Sequence, residues 1–441
     1  MLHIFLPPVH LARLRQAWYT LGALALLGGA AGCADWPSRF ERIDHDRPRV
    51  LDFVYRNLAD TTLCEGAPGD TIIVSAYFAG DTVAAIDWEA SFNVVFDLYF
   101  GDTAKDRRTL EQIPVPAHVV LNDSAFSPAT QVVHFAFKIP DSIMYMSEGI
   151  DDRLFDTLGL DRRALIDLVE TASGALQGAG DIDSQTLAAL VQQLTAGAVD
   201  ADEISYTALL QLLTARIRLF ARINGVYRVR SDFSVRYNRR FAALPGVTLN
   251  RNPRVRFLGV YKVKNPPPVP MTVGTLRPSD TTYVLIARGQ PDPAYVGSAQ
   301  RVLFTDTVTI DTGYSYYLVA DSGRYNGVDL RDTAETLRGT RAPEDIFFAW
   351  FYQHDPDEAL GVNPNDFMIT GGNSAVVPLL PPRDERITFA RLWVQAWDSF
   401  AGEFARPLGS MLYESRITFR YTRAWRAGLD SRALSGAAGS L

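Results

Sequence analysis

Apolar positions along the chain fall into three patterns. In the first, residues 71–78, 92–100, 132–139, 227–237, 301–310, 315–320, 345–352, 387–397 and 412–421 alternate or run apolar between Gly, Pro, Asp and Asn. Side chains of a strand point to alternate faces, so this spacing predicts strands. In the second, between residues 151 and 223, the period lengthens to that of a helix. Leu187, Leu190, Val191 and Leu194 share one helical face, and Leu209, Leu212, Leu213, Ile217 and Phe220 share another. Asp183 and Asp161 are placed to cap helices, the one after Asp161 running to about Thr171, and Asp200 with Glu203 has capping-box spacing. Leu154, Phe155 and Leu158 begin a shorter helix. The third pattern is a run of apolar and small residues from 17 to 31, preceded by Arg13 and Arg15 and followed by Gly32-Cys33. Charge, a short apolar helix and a small-residue cleavage site make a secretory signal. The run is shorter than the roughly 20 residues a membrane-spanning helix needs.

The strand pattern also repeats. Pro48-Arg49-Val50, leading to Val54-Tyr55, returns as Pro253-Arg254-Val255, leading to Val260-Tyr261. Gly69-Asp70-Thr71 returns as Ser279-Asp280-Thr281, and Phe233-Ser234-Val235-Arg236-Tyr237 as Ile417-Thr418-Phe419-Arg420-Tyr421. Three similar pairs in one order imply two copies of one domain. The expected plan is a signal at 1–32, a tether at 33–46, a first domain at 47–245, a second at 250–426 and a tail at 427–441. The first copy holds the helical segment, about 149–223, as an insertion. Pro266-Pro267-Pro268 is stiff and extended and reads as an edge loop of the second copy.

Ala30-Ala31-Gly32-Cys33 resembles the lipobox of bacterial lipoproteins. The resemblance implies cleavage before Cys33, acyl chains on its sulfur and amino group, and a membrane held through that anchor. Ala34 after the cysteine, rather than Asp, implies the outer membrane of the cell envelope. The strands opening with Pro-Arg-Val, the Gly-Asp-Thr starts and the closing Leu392-Trp393-Val394-Gln395-Ala396-Trp397-Asp398 resemble the Ig-like repeats of bacterial envelope proteins. That resemblance implies a mainly β chain of two tandem Ig-like β-sandwiches. It fixes no ligand, because such sandwiches host many functions.

Composition narrows the partners. The 441 residues are 47% hydrophobic and 21% charged, ordinary for a chain that buries a core. Net charge is −7, and losing Arg13 and Arg15 with the signal makes it more negative. That disfavours nucleic acid, whose phosphates need a basic face. With Cys33 acylated, Cys64 has no disulfide partner and reads as a structural thiol.

Nothing in the sequence composes a catalytic or metal motif, so no enzyme, cofactor or metal is expected. His3, His10, His45, His118, His134 and His354 are scattered without the spacing of a zinc set. Asp181, Asp183, Asp200 and Asp202 lack the rest of a calcium loop and suit helix caps. Asp151, Asp152, Asp355, Asp357 and Glu358 suit solvated loops. One surface stands out. If Leu392, Val394 and Ala396 face the core, then Arg391, Trp393, Gln395 and Trp397 point outward. Two rings interleaved with polar groups would form a flat platform for a protein or glycan. The expected role is non-enzymatic binding or scaffolding at the envelope, with a carbohydrate-binding or glycan-processing lipoprotein as the alternative.

Overall fold

The computed structural model describes residues 48–80, 82–95, 103–116, 130–147, 161–176, 213–242, 247–253, 257–264, 281–285, 300–301, 307–321, 324–325, 328–329, 333–335, 341–354, 367–370, 375–379, 385–399 and 407–425. The fold is mainly β. The first half holds β1 (Arg49–Asn57), β2 (Thr71–Ala79), β3 (Ile86–Ser91), β4 (Asn93–Val95), β5 (Thr103–Lys105), β6 (Arg108–Thr109) and β7 (Thr130–Lys138). There follow α1 (Ile143–Met146), α2 (Arg162–Leu176), β8 (Thr214–Ile223), β9 (Tyr227–Arg236) and a 3-10 turn at Asn238–Phe241. The second half holds β10 (Phe257–Lys264), β11 (Thr281–Leu285), β12 (Gln300–Arg301), β13 (Thr307–Ile310), β14 (Tyr314–Asp321), β15 (Arg324–Tyr325), β16 (Val328–Asp329), β17 (Thr333–Glu335) and β18 (Arg341–Pro343). It closes with β19 (Asp345–His354), β20 (Phe367–Thr370), β21 (Val376–Leu379), β22 (Phe389–Ser399) and β23 (Pro407–Tyr421).

Four sheets carry the architecture, in the orders β1-β2-β7, β6-β3-β8-β9, β11-β10-β14-β21 and β12-β23-β22-β19-β20. The sheet β1-β2-β7 is covered on both faces. Ile72, Val74, Ala76 and Phe78 of β2 join Leu219, Phe233 and Val235 in one apolar cluster. Tyr77 and Ala79, on the other face of β2, join Trp393, Leu412 and Leu318 in a second. A strand buried on both sides reads as continuously apolar, which is how Ile72 to Ala79 reads apart from Ser75.

The stretch between β9 and β10, expected from sequence to hold a linker from Gly246 to Asn252, is packed at Asn250 and Asn252. Asn250 accepts the Cys64 N–H through its carbonyl at 3.1 Å. Asn252, also buried, donates from Nδ2 to the Tyr55 carbonyl at 2.9 Å and accepts the Ser410 N–H at 3.0 Å. One asparagine therefore ties β1 to β23.

The helix at α2 starts where expected. Asp161 Oδ1 accepts the N–H of Arg163 at 2.9 Å, satisfying a donor of the first turn. The helical face assigned to Leu209, Leu212, Leu213, Ile217 and Phe220 is corrected: Ile217 and Phe220 lie in strand β8. Ala215, Ile217, Leu219, Ala221 and Ile223 alternate with Arg216, Arg218, Phe220 and Arg222, and pairing with both β3 and β9 fixes the first set on the core. Tertiary pairing thus overrides a short helical period. The helical segments assigned around Leu154, Leu187 and Asp200 lie outside the described residues.

Candidate functional site

The platform proposed from sequence is mostly covered. Trp393 is fully buried and donates its indole N–H to Thr130 Oγ1 on β7 at 2.9 Å. Gln395 donates to Asp52 Oδ1 on β1 at 2.7 Å. Arg391 and Trp397 are half-buried, and Trp397 stacks on its cross-strand neighbour Phe347, with centroids 6.2 Å apart. The expectation of an outward pair of tryptophans is therefore corrected at Trp393. The sheet β1-β2-β7 supplies the cover, and pattern alone does not reveal a second apolar layer. Cys33, the candidate lipidation residue, lies outside the described residues.

The seam under Trp393 is polar and closed. Asp52 accepts Gln395 Nε2, Ser410 Oγ at 2.6 Å and the Phe53 N–H at 2.8 Å. Burial outweighs these donors and raises its carboxyl from 3.8 to about 6. Glu65 and Arg236 form a buried pair, with Arg236 Nε at 2.9 Å and Nη2 at 2.6 Å from Glu65 Oε2. Cys64 is buried beside them. Burial first, and the charges of Asp398, Glu65 and Glu344 next, push its thiol well up. A thiol held protonated is not a nucleophile.

A serine and a histidine also meet. Ser75 Oγ lies 2.7 Å from His134 Nδ1, and Arg56 Nη1 donates to the same oxygen at 2.7 Å. Ser75 is fully buried, and a guanidinium donating into its oxygen opposes nucleophilic attack. The trio links β1, β2 and β7. Among the described residues, no three of His, Cys, Asp and Glu gather as a metal set.

The open site is the outer face of β6-β3-β8-β9. The β8–β9 hairpin turns at Asn224-Gly225, both at positive φ, 49° and 72°. Asn and Gly tolerate that region best, which is why this dipeptide marks tight hairpins. Asn224 Oδ1 also accepts the Ala84 and Ala85 N–H groups, and its Nδ2 donates to the Thr82 carbonyl at 2.9 Å, so the turn is fastened to the approach of β3. Behind the turn, alternation puts Arg216, Arg218, Phe220 and Arg222 of β8 and Arg228, Arg230 and Asp232 of β9 on one face. Arg218 clasps Asp232 with two bonds, Nε–Oδ1 at 2.6 Å and Nη2–Oδ2 at 2.7 Å. Arg107 pairs with Glu89 at 2.6 Å and lies 3.8 Å from the centroid of the Phe220 ring.

Those contacts use up Asp232 and Glu89 but leave three arginines over. Arg222, Arg228 and Arg230 are exposed and have no ion pair among the described residues. Arg222 and Arg228 are direct cross-strand partners. Like charges so placed destabilise a hairpin. Asp87 is the cross-strand partner of Arg222 on β3 without bonding to it. A cleft of about 240 Å³ opens here, with Asp87, Glu89, Phe220 and the three arginines on its walls. Sequence reasoning missed this face because β8 was read as helix. The signal was present, as Ile-Asn-Gly-Val-Tyr flanked by alternating apolar residues.

Compared with known proteins, the sequence matches no family model and no curated relative.

Proposed function

We propose that this protein is a non-enzymatic, lipid-anchored component of the cell envelope that binds a partner through the outer face of β8 and β9. The anchor rests on the signal pattern and on Cys33. The chain is read as two related Ig-like modules, the first carrying a helical insertion. In support, the recurring motifs fall on matching elements: β1 and β10 open the halves, Asp70 and Asp280 precede β2 and β11, and β9 and β23 close them. In both halves the first strand pairs antiparallel with the second.

The observation that carries the binding reading is the set of three arginines without ion-pair partners on a fastened hairpin, in a chain of net charge −7. Charge of one sign gathered against the sign of the whole draws a complementary ligand. A glycan-binding or glycan-processing role is the alternative. It is less well supported, because Arg107 already stacks on one face of Phe220, where a sugar ring would lie.

Two measurements test this. Cells fed a labelled fatty acid should mark the wild-type chain and not Cys33→Ala. The purified full-length chain should bind a small multivalent anion, citrate or a phosphate ester, and Arg222→Gln/Arg228→Gln/Arg230→Gln should lose it. Binding of neither anion to the wild type would reject the face as the site.

A further inference from the structure

We infer that the cleft at the β8–β9 hairpin receives the phosphoryl group of a soluble phosphate monoester. This deepens the reading above and rests on it, since it names the chemistry of the anion that the same face would take.

Geometry comes first. Arg222 and Arg228 stand directly opposite each other, so their Cβ atoms are about 4.5–5.5 Å apart. Arg230 is opposite Phe220 and thus diagonal to Arg222, roughly 7–8 Å away. Three guanidinium groups rooted so closely converge on one compact group better than they track an extended chain. Guanidinium presents a planar fork of donors that matches two oxygens of a phosphate. A phosphoryl group offers three such oxygens, one edge for each arginine.

Charge comes next. Within the cleft Arg107 is neutralised by Glu89. Three arginines and Asp87 remain, an excess that a dianion balances and a single carboxylate does not. A phosphate monoester carries about −1.5 to −2 at neutral pH. The rest of the ligand would meet Phe220, which is half-buried and carries Arg107 over one face of its ring.

There is a plainer role for two of the arginines. Strand β9 ends its sheet, and outward charges on an edge strand deter pairing with other chains. That role does not need Arg222, which is on the inner strand β8, and it is served equally well by lysine. The two roles therefore separate by substitution.

The experiment is calorimetric titration of the full-length chain in detergent with phenyl phosphate, phenyl sulfate, citrate and vesicles containing phosphatidic acid. Phenyl phosphate should bind saturably, and phenyl sulfate, the same shape with one charge fewer, about tenfold or more weaker. Arg222→Gln/Arg228→Gln/Arg230→Gln should abolish the binding with an unchanged melting temperature. Arg222→Lys/Arg228→Lys/Arg230→Lys, which keeps the charge and the edge protection, should still lose about tenfold through loss of the forked contacts. Equal affinity for phosphate and sulfate, full binding by the lysine variant, or binding only to vesicles would overturn the phosphoryl assignment. Tight citrate binding without phosphate binding would overturn it too while leaving the face as a binding surface. Silence toward every probe would remove both.

Discussion

Strands β22 and β8 make an instructive pair. Both alternate a small-to-medium apolar set with a set of large or charged residues, Leu392-Val394-Ala396 against Trp393-Gln395-Trp397 in one, Ile217-Leu219-Ala221 against Arg218-Phe220-Arg222 in the other. In β22 the second set is largely buried under β1 and β7, and its polar member is answered by Asp52. In β8 the second set divides: Arg218 is buried and clasped by Asp232, whereas Arg222 is exposed and has no ion pair among the described residues. The difference is what the second face costs to cover. An indole can be buried with its N–H bonded to Thr130, whereas three unpaired guanidinium groups cannot leave water without heavy desolvation. A strand with two buriable faces becomes an inner layer, and a strand with one becomes a wall.

The largest effect expected from this contrast lies within β9, which carries both kinds of arginine. Arg236→Ala strands the buried carboxylate of Glu65 and should cost about 3–5 kcal/mol of unfolding free energy, read by denaturant titration. Trp393→Ala opens a cavity between layers and leaves Thr130 without its donor. It should also cost about 3–5 kcal/mol, and a cost typical of a surface site would mean the two layers do not meet there.

Asp52 sharpens the comparison through pH. Its folded carboxyl is raised from 3.8 to about 6, so the folded chain holds a proton that the unfolded chain releases. The stability this contributes is complete below about pH 4 and is lost as pH rises through 6. A gap of about 2 pH units corresponds to roughly 3 kcal/mol. Denaturation midpoints of wild type and Asp52→Asn should diverge over that window, with the variant keeping its stability at pH 7. Parallel curves would place Asp52 in contact with water.

Gly409→Ala is a smaller lesion in the same seam. A Cβ there would meet Asp398 Oδ2 at 2.6 Å, Cys64 Sγ at 3.0 Å and the Asn252 Cα at 3.1 Å, and overpacking of this kind costs about 1–3 kcal/mol. The smallest effect should come from the open face. Removing Arg228 alone relieves a like-charge pair and should leave stability unchanged or raise it by a few tenths of a kcal/mol, about the size of such cross-strand terms.

Much of the fold was legible. The expected strands at 227–237, 345–352 and 412–421 fall on β9, β19 and β23, because β-branched and aromatic residues between turn formers have few other ways to bury one face. Asp161 marked its helix because a carboxylate before the first turn meets free N–H groups. The candidate site was not legible. Ile217 and Phe220 fit a helical period by chance, and only pairing with β3 and β9 makes the alternate reading the lower in free energy.

By itself the sequence determined the local terms: which stretches alternate, where the chain turns at Asn224-Gly225, and where a helix starts after Asp161. Those depend on a residue and its near neighbours. Tertiary structure decided which faces meet. It buried Trp393 against Thr130, joined Glu65 to Arg236, and left Arg222, Arg228 and Arg230 on an open wall. Burial is a property of the partner layer as much as of the strand, and the partner is chosen by segments far away along the chain.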